Sequence, residues 1–229
     1  MKLLFIPGSG GPREIWKYQT DYFPGSQAIA LPGHPEGQPC TSVDDYVEWL
    51  RGYIKQQGYQ DVVLAGHSLG GAIAQLYGLN YPHELKGLVL IGTGARLRVR
   101  PDILEALKNM IGNQDAWRKY LEEGSTMADP EFRHTILEAR MKIGPAVTLN
   151  DFLCCDKFDI MTRIQELSLP TLVICGSEDM MTPVKYANYL ADRIAGSSIV
   201  IIDGATHSVS TEKPKEVNRA IERFLRTFS

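Results

Sequence analysis

The stretch VVLAGHSLGGAIAQL, from Val62 to Leu76, changes its pattern halfway and decides the fold. A short apolar run leads into the pentapeptide GHSLG at positions 66–70, and an apolar helical pattern leaves it. A strand that turns into a helix within two residues must adopt a strained backbone with almost no room for neighbouring side chains. Glycines at positions 66 and 70 meet this demand, which predicts that Ser68 stands at the apex of a sharp turn with its hydroxyl exposed.

Apolar runs of strand length recur along the chain and favour an α/β fold. They are nearly continuous rather than alternating, as expected for strands buried on both faces of a parallel sheet. Helical patterns lie between them, for example from Ser42 to Gln56, where Ser42 is the predicted N-cap. We therefore predict a doubly wound, mostly parallel α/β sheet of about six core strands. The predicted strands are Leu3 to Ile6, Gln27 to Leu31, Val62 to Ala65, Gly87 to Ile91, Thr171 to Cys175 and Ser198 to Ile202.

The alternation of strands and helices stops between Arg96 and Gln165. Three amphipathic helices are predicted there, over residues 101–111, 114–121 and 130–143. We interpret residues 96–165 as a helical insertion between two core strands, with the core formed by residues 1–95 and 166–229. Arginines at positions 96, 98 and 100 are interpreted as a solvated hinge, with attraction of an acidic substrate as the alternative. Candidate pocket walls in this insertion, most of them expected to pack inside it, are Met110, Trp117, Tyr120, Met127, Phe132, Met141 and Phe152.

A serine hydroxyl becomes an effective nucleophile when a base takes its proton and a third group orients that base. His207 follows the last predicted strand, and Asp179 follows the strand before it. Loops after the carboxyl ends of parallel strands meet in one crevice, so both loops can reach the one that carries Ser68. The sequence therefore predicts Ser68 as the nucleophile, His207 as the base and Asp179 as the residue that orients the base.

The other four histidines are predicted to have structural roles. His34 lies in a turn rich in proline and glycine, and His83 and His134 lie in helices or at helix ends. His67 precedes the predicted nucleophile and is expected to point away from it.

Backbone donors for the oxyanion of a tetrahedral intermediate are predicted in two places. One is the N–H of Leu69, at the start of the helix after Ser68. The other is the N–H of Ser9, in the glycine-rich loop FIPGSGG at positions 5–11. This loop lacks the lysine and Ser/Thr of a phosphate-binding loop, and its glycine spacing does not match a dinucleotide fingerprint. No cofactor is therefore predicted.

The composition is that of a globular protein, with 44% hydrophobic and 22% charged residues among 229. A net charge of −3 gives no reason to expect nucleic acid or a membrane surface as a partner. The four cysteines lack disulfide or zinc spacing, so we expect reduced thiols and no metal. The first apolar run ends too early for a signal peptide, and no run is long enough to span a membrane. We expect a cytoplasmic monomer or homodimer.

With these residues in view, the sequence resembles the α/β-hydrolase superfamily over essentially its whole length. The segments GHSLGG, GSEDMMTP and GATHSVSTEKP look like its nucleophile elbow, acid loop and histidine loop. The chain order of Ser68, Asp179 and His207 also matches that family. The resemblance implies an α/β-hydrolase fold in which residues 96–165 form a helical lid over the active site. One departure is Pro7-Gly8, which stands where many relatives have His-Gly.

The sequence as a whole predicts a serine hydrolase that cleaves a small-molecule acyl ester through an acyl-enzyme intermediate, as carboxylesterases do. The same triad serves lactonases, thioesterases and carbon–carbon bond hydrolases, which stay open as alternatives because the fold does not determine the leaving group. From a different class, a non-catalytic small-molecule receptor on this fold is also possible. Intact residues at all three triad positions count against it.

Overall fold

The structure, a computed structural model, describes residues 1–125 and 129–228. Within these ranges the strands are β1 (Lys2–Ile6), β2 (Gln27–Ala28), β3 (Val62–His67), β4 (Leu85–Ile91), β5 (Thr171–Gly176) and β6 (Ser198–Ile202). They form one sheet in the order β2-β1-β3-β4-β5-β6, and every neighbouring pair is parallel. The predicted α/β class and parallel six-stranded sheet are confirmed.

The two edge strands differ from the sequence prediction. β2 is only two residues long, where a run to Leu31 was expected. In β6, Ile199 is 37% and Ile201 is 39% exposed, so the expectation of burial on both faces is wrong for this strand. The reason is its position, since β6 pairs only with β5 and lies at the edge of the sheet.

The helices of the described ranges alternate with the strands. They are α1 (Lys17–Tyr22), α2 (Val43–Gln56), α3 (Leu69–Asn80), α4 (Pro101–Met110), α5 (Gln114–Glu123), α6 (Pro130–Lys157), α7 (Val184–Arg193), α8 (Val209–Glu212) and α9 (Pro214–Leu225). The N-cap predicted for α2 is present, because Ser42 Oγ accepts a hydrogen bond of 3.0 Å from the N–H of Asp45. None of these helices has both the length and the apolar content that crossing a bilayer requires.

Helix α6 is longer than the sequence predicts. It kinks at Gly144, whose φ of 81° and ψ of 168° are not helical, and it resumes with Pro145. Proline is well suited to the first position of a helix, where its missing N–H would have no partner. The predicted stop after Ile143 is therefore a kink, and residues 145–157 form a second helical half that the sequence analysis missed.

Helices cover both faces of the sheet. On one face, α2 and α3 pack on alternate strand residues through side chains that include Tyr46, Leu50 and Ile73. On the other face, Trp16 and the apolar side of α9 pack against the remaining strand residues. The chain leaves β1 toward one edge of the sheet and β3 toward the other. Their carboxyl ends therefore lie at a topological switch point, where α/β sheets form a crevice.

Candidate active site

The turn between β3 and α3 has the conformation predicted from its glycines. Ser68 lies at φ 53° and ψ −115°, a sparsely populated region that costs a non-glycine residue roughly 1 to 3 kcal/mol. A Cβ atom at Gly66 would overlap the carbonyl oxygen of Gly70, and one at Gly70 would overlap that of Ile6. The two glycines therefore allow the sharp turn, and the N-terminus of α3 begins directly after Ser68.

The predicted acid and histidine are in contact. His207 Nδ1 lies 2.8 Å from Asp179 Oδ2. The N–H groups of Met181 and Thr182 donate to Asp179 Oδ1 over 2.9 and 2.8 Å, and Thr182 Oγ1 donates to Oδ2 over 2.8 Å. Burial acts to raise the pKa of Asp179, but His207 and Thr182 outweigh it and hold the pKa below its usual value. An ionised Asp179 keeps the proton of His207 on Nδ1, which leaves Nε2 available as a base.

Ser68 and His207 line one cavity of about 490 Å³ at the switch point. Within the described residues their side chains share no hydrogen bond, and such catalytic bonds often form only when substrate binds. The structure thus brings all three residues to the same edge of the sheet, and their catalytic roles stay a prediction. Other residues lining the cavity are Gly8, Ser9, Gly11, Ile15, His67, Tyr120, Leu121, Glu122, Gly124, Ser125, Arg133, Ile136, Leu137, Arg140, Phe152, Glu178, Met180, Met181, Thr206 and Ser208.

The loop after β1 lies beside Ser68, as the oxyanion prediction requires. A Cβ at Gly8 would stand 3.1 Å from Ser68 Cβ, so the backbone approaches the serine closely. Among the described residues, no acceptor is found for the N–H of Ser9 or of Leu69, whereas the N–H of Gly10 donates to Asp151. The two predicted donors therefore remain available to a ligand, and their role as an oxyanion hole stays a prediction.

His67 does not point away from the site as the sequence analysis expected. Its ring lies 4.6 Å from the His207 ring, centroid to centroid, and its Nε2 is 2.9 Å from the His207 carbonyl oxygen. Burial, with a smaller contribution from His207, lowers the pKa of His67 to about 3. The ring is therefore neutral near pH 7, and it donates its Nε2 proton to the backbone of His207.

A second histidine–aspartate pair, absent from the sequence predictions, lies behind the loop after β1. His34 Nε2 is 2.9 Å from Asp151 Oδ2, and both side chains are completely buried. His34 Nε2 has no hydrogen-bond partner among the described residues, so the two groups are in contact without a well-formed hydrogen bond. Tyr46 donates to Asp151 Oδ1 over 2.6 Å, and Gly10 N–H donates to Oδ2 over 2.9 Å. The carboxylate thus accepts hydrogen bonds from two segments and contacts His34 of a third.

One face of the second half of α6 packs against the loop after β1. A Cβ at Gly10 would collide with the side chain of Thr148, and Ser9 Oγ lies 3.5 Å from Cys155 Sγ. Asp151 lies between Thr148 and Cys155 on the same helix face. The sequence signal that could have found this support is the proline that follows Gly144, because it permits a new helix to begin.

The candidate pocket walls predicted in residues 96–165 lie in different surroundings. Tyr120 and Phe152 line the cavity, whereas Trp117 is buried in a cluster against which Met110 and Met141 pack. Phe132 is buried away from the cavity against Tyr18, and Met127 lies outside the described residues.

The arginines at positions 96, 98 and 100 do not line the cavity. Arg96 and Arg100 pair with Asp159 and Asp102, and Arg98 donates to the Asp156 carbonyl, as suits a solvated hinge. In the described residues, no cluster of three or more His, Cys, Asp or Glu side chains is arranged to hold a metal.

The chain is similar in sequence to several known hydrolases. A thermophilic esterase of known structure is 34% identical, with 98% of this chain and 89% of that chain covered and a TM-score of 0.83. The pimeloyl-[acyl-carrier protein] methyl ester esterase of Neisseria meningitidis is 25% identical over 90% of this chain and 71% of its own length. The 3-oxoadipate enol-lactonase 2 of Acinetobacter baylyi is 23% identical over 99% and 89%.

Some relatives are much longer than this chain. Protein ABHD8 of Bos taurus and of Homo sapiens is 24% identical, and the chain spans 55% and 54% of their lengths. The model of the alpha/beta hydrolase family matches residues 3–220, which include the turn at Ser68 and the loops of Asp179 and His207. Since that match spans most of the chain and the parallel sheet agrees with it, the chain belongs to the alpha/beta hydrolase family.

Proposed function

We propose that the protein is a serine hydrolase that cleaves a small acyl ester through an acyl-enzyme intermediate. The observation that carries the proposal is the contact of 2.8 Å between His207 Nδ1 and Asp179 Oδ2, in a cavity that Ser68 also lines. Esterases among the relatives support the same reaction class. A receptor would not need an oriented histidine beside a strained serine, so the geometry favours catalysis.

In the first half of the proposed reaction, Ser68 Oγ attacks the carbonyl carbon of the ester. Its proton passes to His207 Nε2, and the carbonyl oxygen becomes an oxyanion. The N–H groups of Ser9 and Leu69 donate to that oxyanion, and each such donor typically contributes about 2.7 to 4 kcal/mol. The intermediate then collapses, and His207 returns the proton to the departing alcohol oxygen.

In the second half, water replaces the alcohol. His207 takes a proton from the water as its oxygen attacks the acyl carbon, and the same two amides hold the second oxyanion. Collapse releases the carboxylic acid and returns the proton to Ser68. Asp179 stabilises the imidazolium in both halves without taking the proton itself.

Residues 96–165 are proposed as the lid that contributes the outer wall of the site. Tyr120 and Phe152 from this segment face the cavity and give it an apolar component suited to an acyl chain. Lactone opening is a second candidate reaction, because it uses the same attack and because one relative is an enol-lactonase. A panel of linear esters, lactones and thioesters separates these substrates.

The direct test replaces Ser68 by alanine and measures hydrolysis of p-nitrophenyl acetate. We expect kcat to fall by about 10⁴ to 10⁶ if the three residues act as a unit. A fluorophosphonate probe should label the wild type covalently and leave Ser68→Ala unlabelled.

Ser197→Ala is the matched control, since Ser197 Oγ donates to the Ala191 carbonyl in α7 and does not line the cavity. It should retain both turnover and labelling. If Ser68→Ala hydrolyses the ester at the wild-type rate, the proposal is wrong. Saturable binding of small molecules without turnover or labelling would favour the receptor instead.

A further inference from the structure

One arginine of the active-site cavity lacks a charged partner. Arg140, in the first half of α6, is half-buried and lines the same cavity as Ser68 and His207. Its Nε is sealed from solvent and has no hydrogen-bond partner among the described residues, and it forms no ion pair within that part of the chain. The three residues at 126–128 are Thr, Met and Ala, none of which has a carboxylate side chain.

Two neighbouring arginines of the same segment do have polar partners. Arg118 lies 3.1 Å from Glu138, and Arg133 donates to the Glu122 carbonyl over 2.8 Å. Arg133 is exposed, as are Glu122 and Glu178, which also line the cavity, so water screens these charges at its rim. Arg140 is thus the half-buried arginine of the cavity, and no carboxylate of the described residues pairs with it.

Aromatic residues hold Arg140 without neutralising it. Its guanidinium carbon lies 5.9 Å from the centre of the Trp117 ring, and its carbonyl accepts the indole N–H of Trp117 over 3.4 Å. Trp117 in turn stacks on Tyr120. Burial lowers the pKa of Arg140, which reflects the free energy spent in keeping a cation in this position. A guanidinium that is partly withdrawn from water and has no acid beside it costs stability unless a ligand supplies the anion.

We propose that Arg140 binds a carboxylate of the substrate, so that the preferred substrates contain a carboxylate in addition to the scissile ester. This inference rests on the proposed function, because it concerns the substrate of the same site. The planar fork of N–H donors in arginine matches the two oxygens of a carboxylate. A cavity of about 490 Å³ has room for a small acyl chain that joins the two groups.

The test compares matched esters on the whole enzyme. Methyl monoesters of dicarboxylic acids from succinate to suberate are assayed beside the neutral dimethyl esters of the same acids. At the best chain length, we expect kcat/KM for the anionic monoester to exceed that of the neutral diester by about 10-fold to 100-fold. Acetyl esters of hydroxy acids form a second arm, which shows whether the carboxylate belongs to the acyl or the alcohol side.

Arg140→Gln should reduce this ratio to near one, because it should lose much more activity toward the anionic monoester than toward the neutral diester. Arg140→Lys keeps a charge without the fork, so it should retain part of the preference. Arg118→Gln is the matched control from the same lid and should keep the wild-type ratio. The free dicarboxylate of the best length should inhibit neutral-ester hydrolysis by the wild type competitively, and inhibit Arg140→Gln much more weakly.

Two results would overturn the assignment while leaving the proposed hydrolase intact. One is a wild-type ratio near one with Ser68-dependent turnover of neutral esters. The other is equal loss of both activities in a folded Arg140→Gln protein. If no ester is turned over at all, the proposed function fails instead.

A thermal-shift measurement tests carboxylate binding without turnover. If Arg140 binds carboxylates, the dicarboxylate should raise the Tm of the wild type and not that of Arg140→Gln. An equal shift in both proteins would reject that role.

Discussion

The pair of His207 and Asp179 and the pair of His34 and Asp151 place the same chemical groups in different surroundings. In each pair a ring nitrogen lies within 2.8 or 2.9 Å of a carboxylate oxygen. The His207 side chain is 15% exposed and lines the cavity, whereas both side chains of the other pair are completely buried. A histidine in contact with an acid is therefore not by itself a general base, because the base must also reach the substrate.

The second ring nitrogen separates the two pairs further. His207 Nε2 has no protein partner among the described residues, so it can accept a proton from Ser68 in the proposed reaction. His34 Nδ1 is 2.9 Å from the carbonyl oxygen of Gly11, which can only accept a hydrogen bond. Nδ1 therefore donates, and Nε2 lies against the buried carboxylate of Asp151. This second pair cannot act as a base without breaking a buried contact. Its hydrogen bonds with Gly10 and Gly11 instead fix the loop after β1.

The sharpest way to break this comparison is to remove one charge from each pair. Asp179→Asn should lower kcat for ester hydrolysis by about 10⁴, because the amide favours the wrong tautomer of His207 and cannot stabilise its imidazolium. Steady-state kinetics with p-nitrophenyl acetate measure the loss, and circular dichroism checks that the variant is folded. A kcat within tenfold of the wild type would mean that Asp179 does not orient the base.

Asp151→Asn should instead act mainly on stability. Without the charge, the buried hydrogen bonds from Tyr46 and from the N–H of Gly10 are weakened, and hydrogen bonds to a charged group contribute about 1.5 to 3 kcal/mol each, so we expect a loss of about 3 kcal/mol. Urea unfolding measures the free energy of unfolding, with Asp179→Asn as the matched partner. In the folded fraction, kcat should fall less than in Asp179→Asn. A loss below about 1 kcal/mol would show that the second pair contributes little to the fold.

The sequence predicts one pair and misses the other for a physical reason. Asp179 and His207 follow strands of a parallel sheet, and the topology of such a sheet brings those loops together whatever the intervening helices do. Asp151 lies on a helix that the sequence analysis did not predict, behind the kink at Gly144. Its partner Tyr46 is 105 residues away, so only the packing of that helix on α2 and the oxyanion loop creates the site.

Arg140 and β6 also show that the local sequence does not determine how deeply a residue is buried. Sequence periodicity places Arg140 on a helix but cannot tell whether that part of the helix faces solvent or the cavity. The apolar run of β6 resembles that of a central strand, although the strand lies at the edge of the sheet. Local pattern therefore predicts element type well, while burial depends on which neighbours the fold supplies.

Tyr46→Phe sharpens the comparison by removing one donor and leaving the charges in place. Burial, together with the Asp151 charge, raises the pKa of Tyr46 far above its usual range, so the hydroxyl is a permanent donor. Loss of this hydrogen bond to a buried carboxylate should reduce the free energy of unfolding by about 1.5 to 3 kcal/mol. Tyr22→Phe is the surface control, since its hydroxyl reaches Glu222 at 3.4 Å, and it should change stability by less than about 0.5 kcal/mol. Equal losses in the two variants would contradict the special role of the buried network.

The smallest expected effect concerns His67, which is a half-buried histidine with no carboxylate in contact. Its pKa is about 3 in the folded protein, against about 6.5 in an unfolded chain. As the pH falls below about 6.5, the unfolded chain binds a proton that the folded protein does not, so stability decreases toward pH 3 by up to about 1.4 kcal/mol per pH unit. His67→Gln keeps an N–H donor for the His207 carbonyl and should remove this contribution.

Urea unfolding between pH 7 and pH 5, where carboxylates contribute little, measures how the free energy of unfolding changes with pH. The proteins compared are the wild type, His67→Gln and the exposed control His83→Gln. The same slope in His67→Gln as in the wild type would show that His67 is protonated in the folded state, and burial alone would then not keep a histidine neutral beside this site.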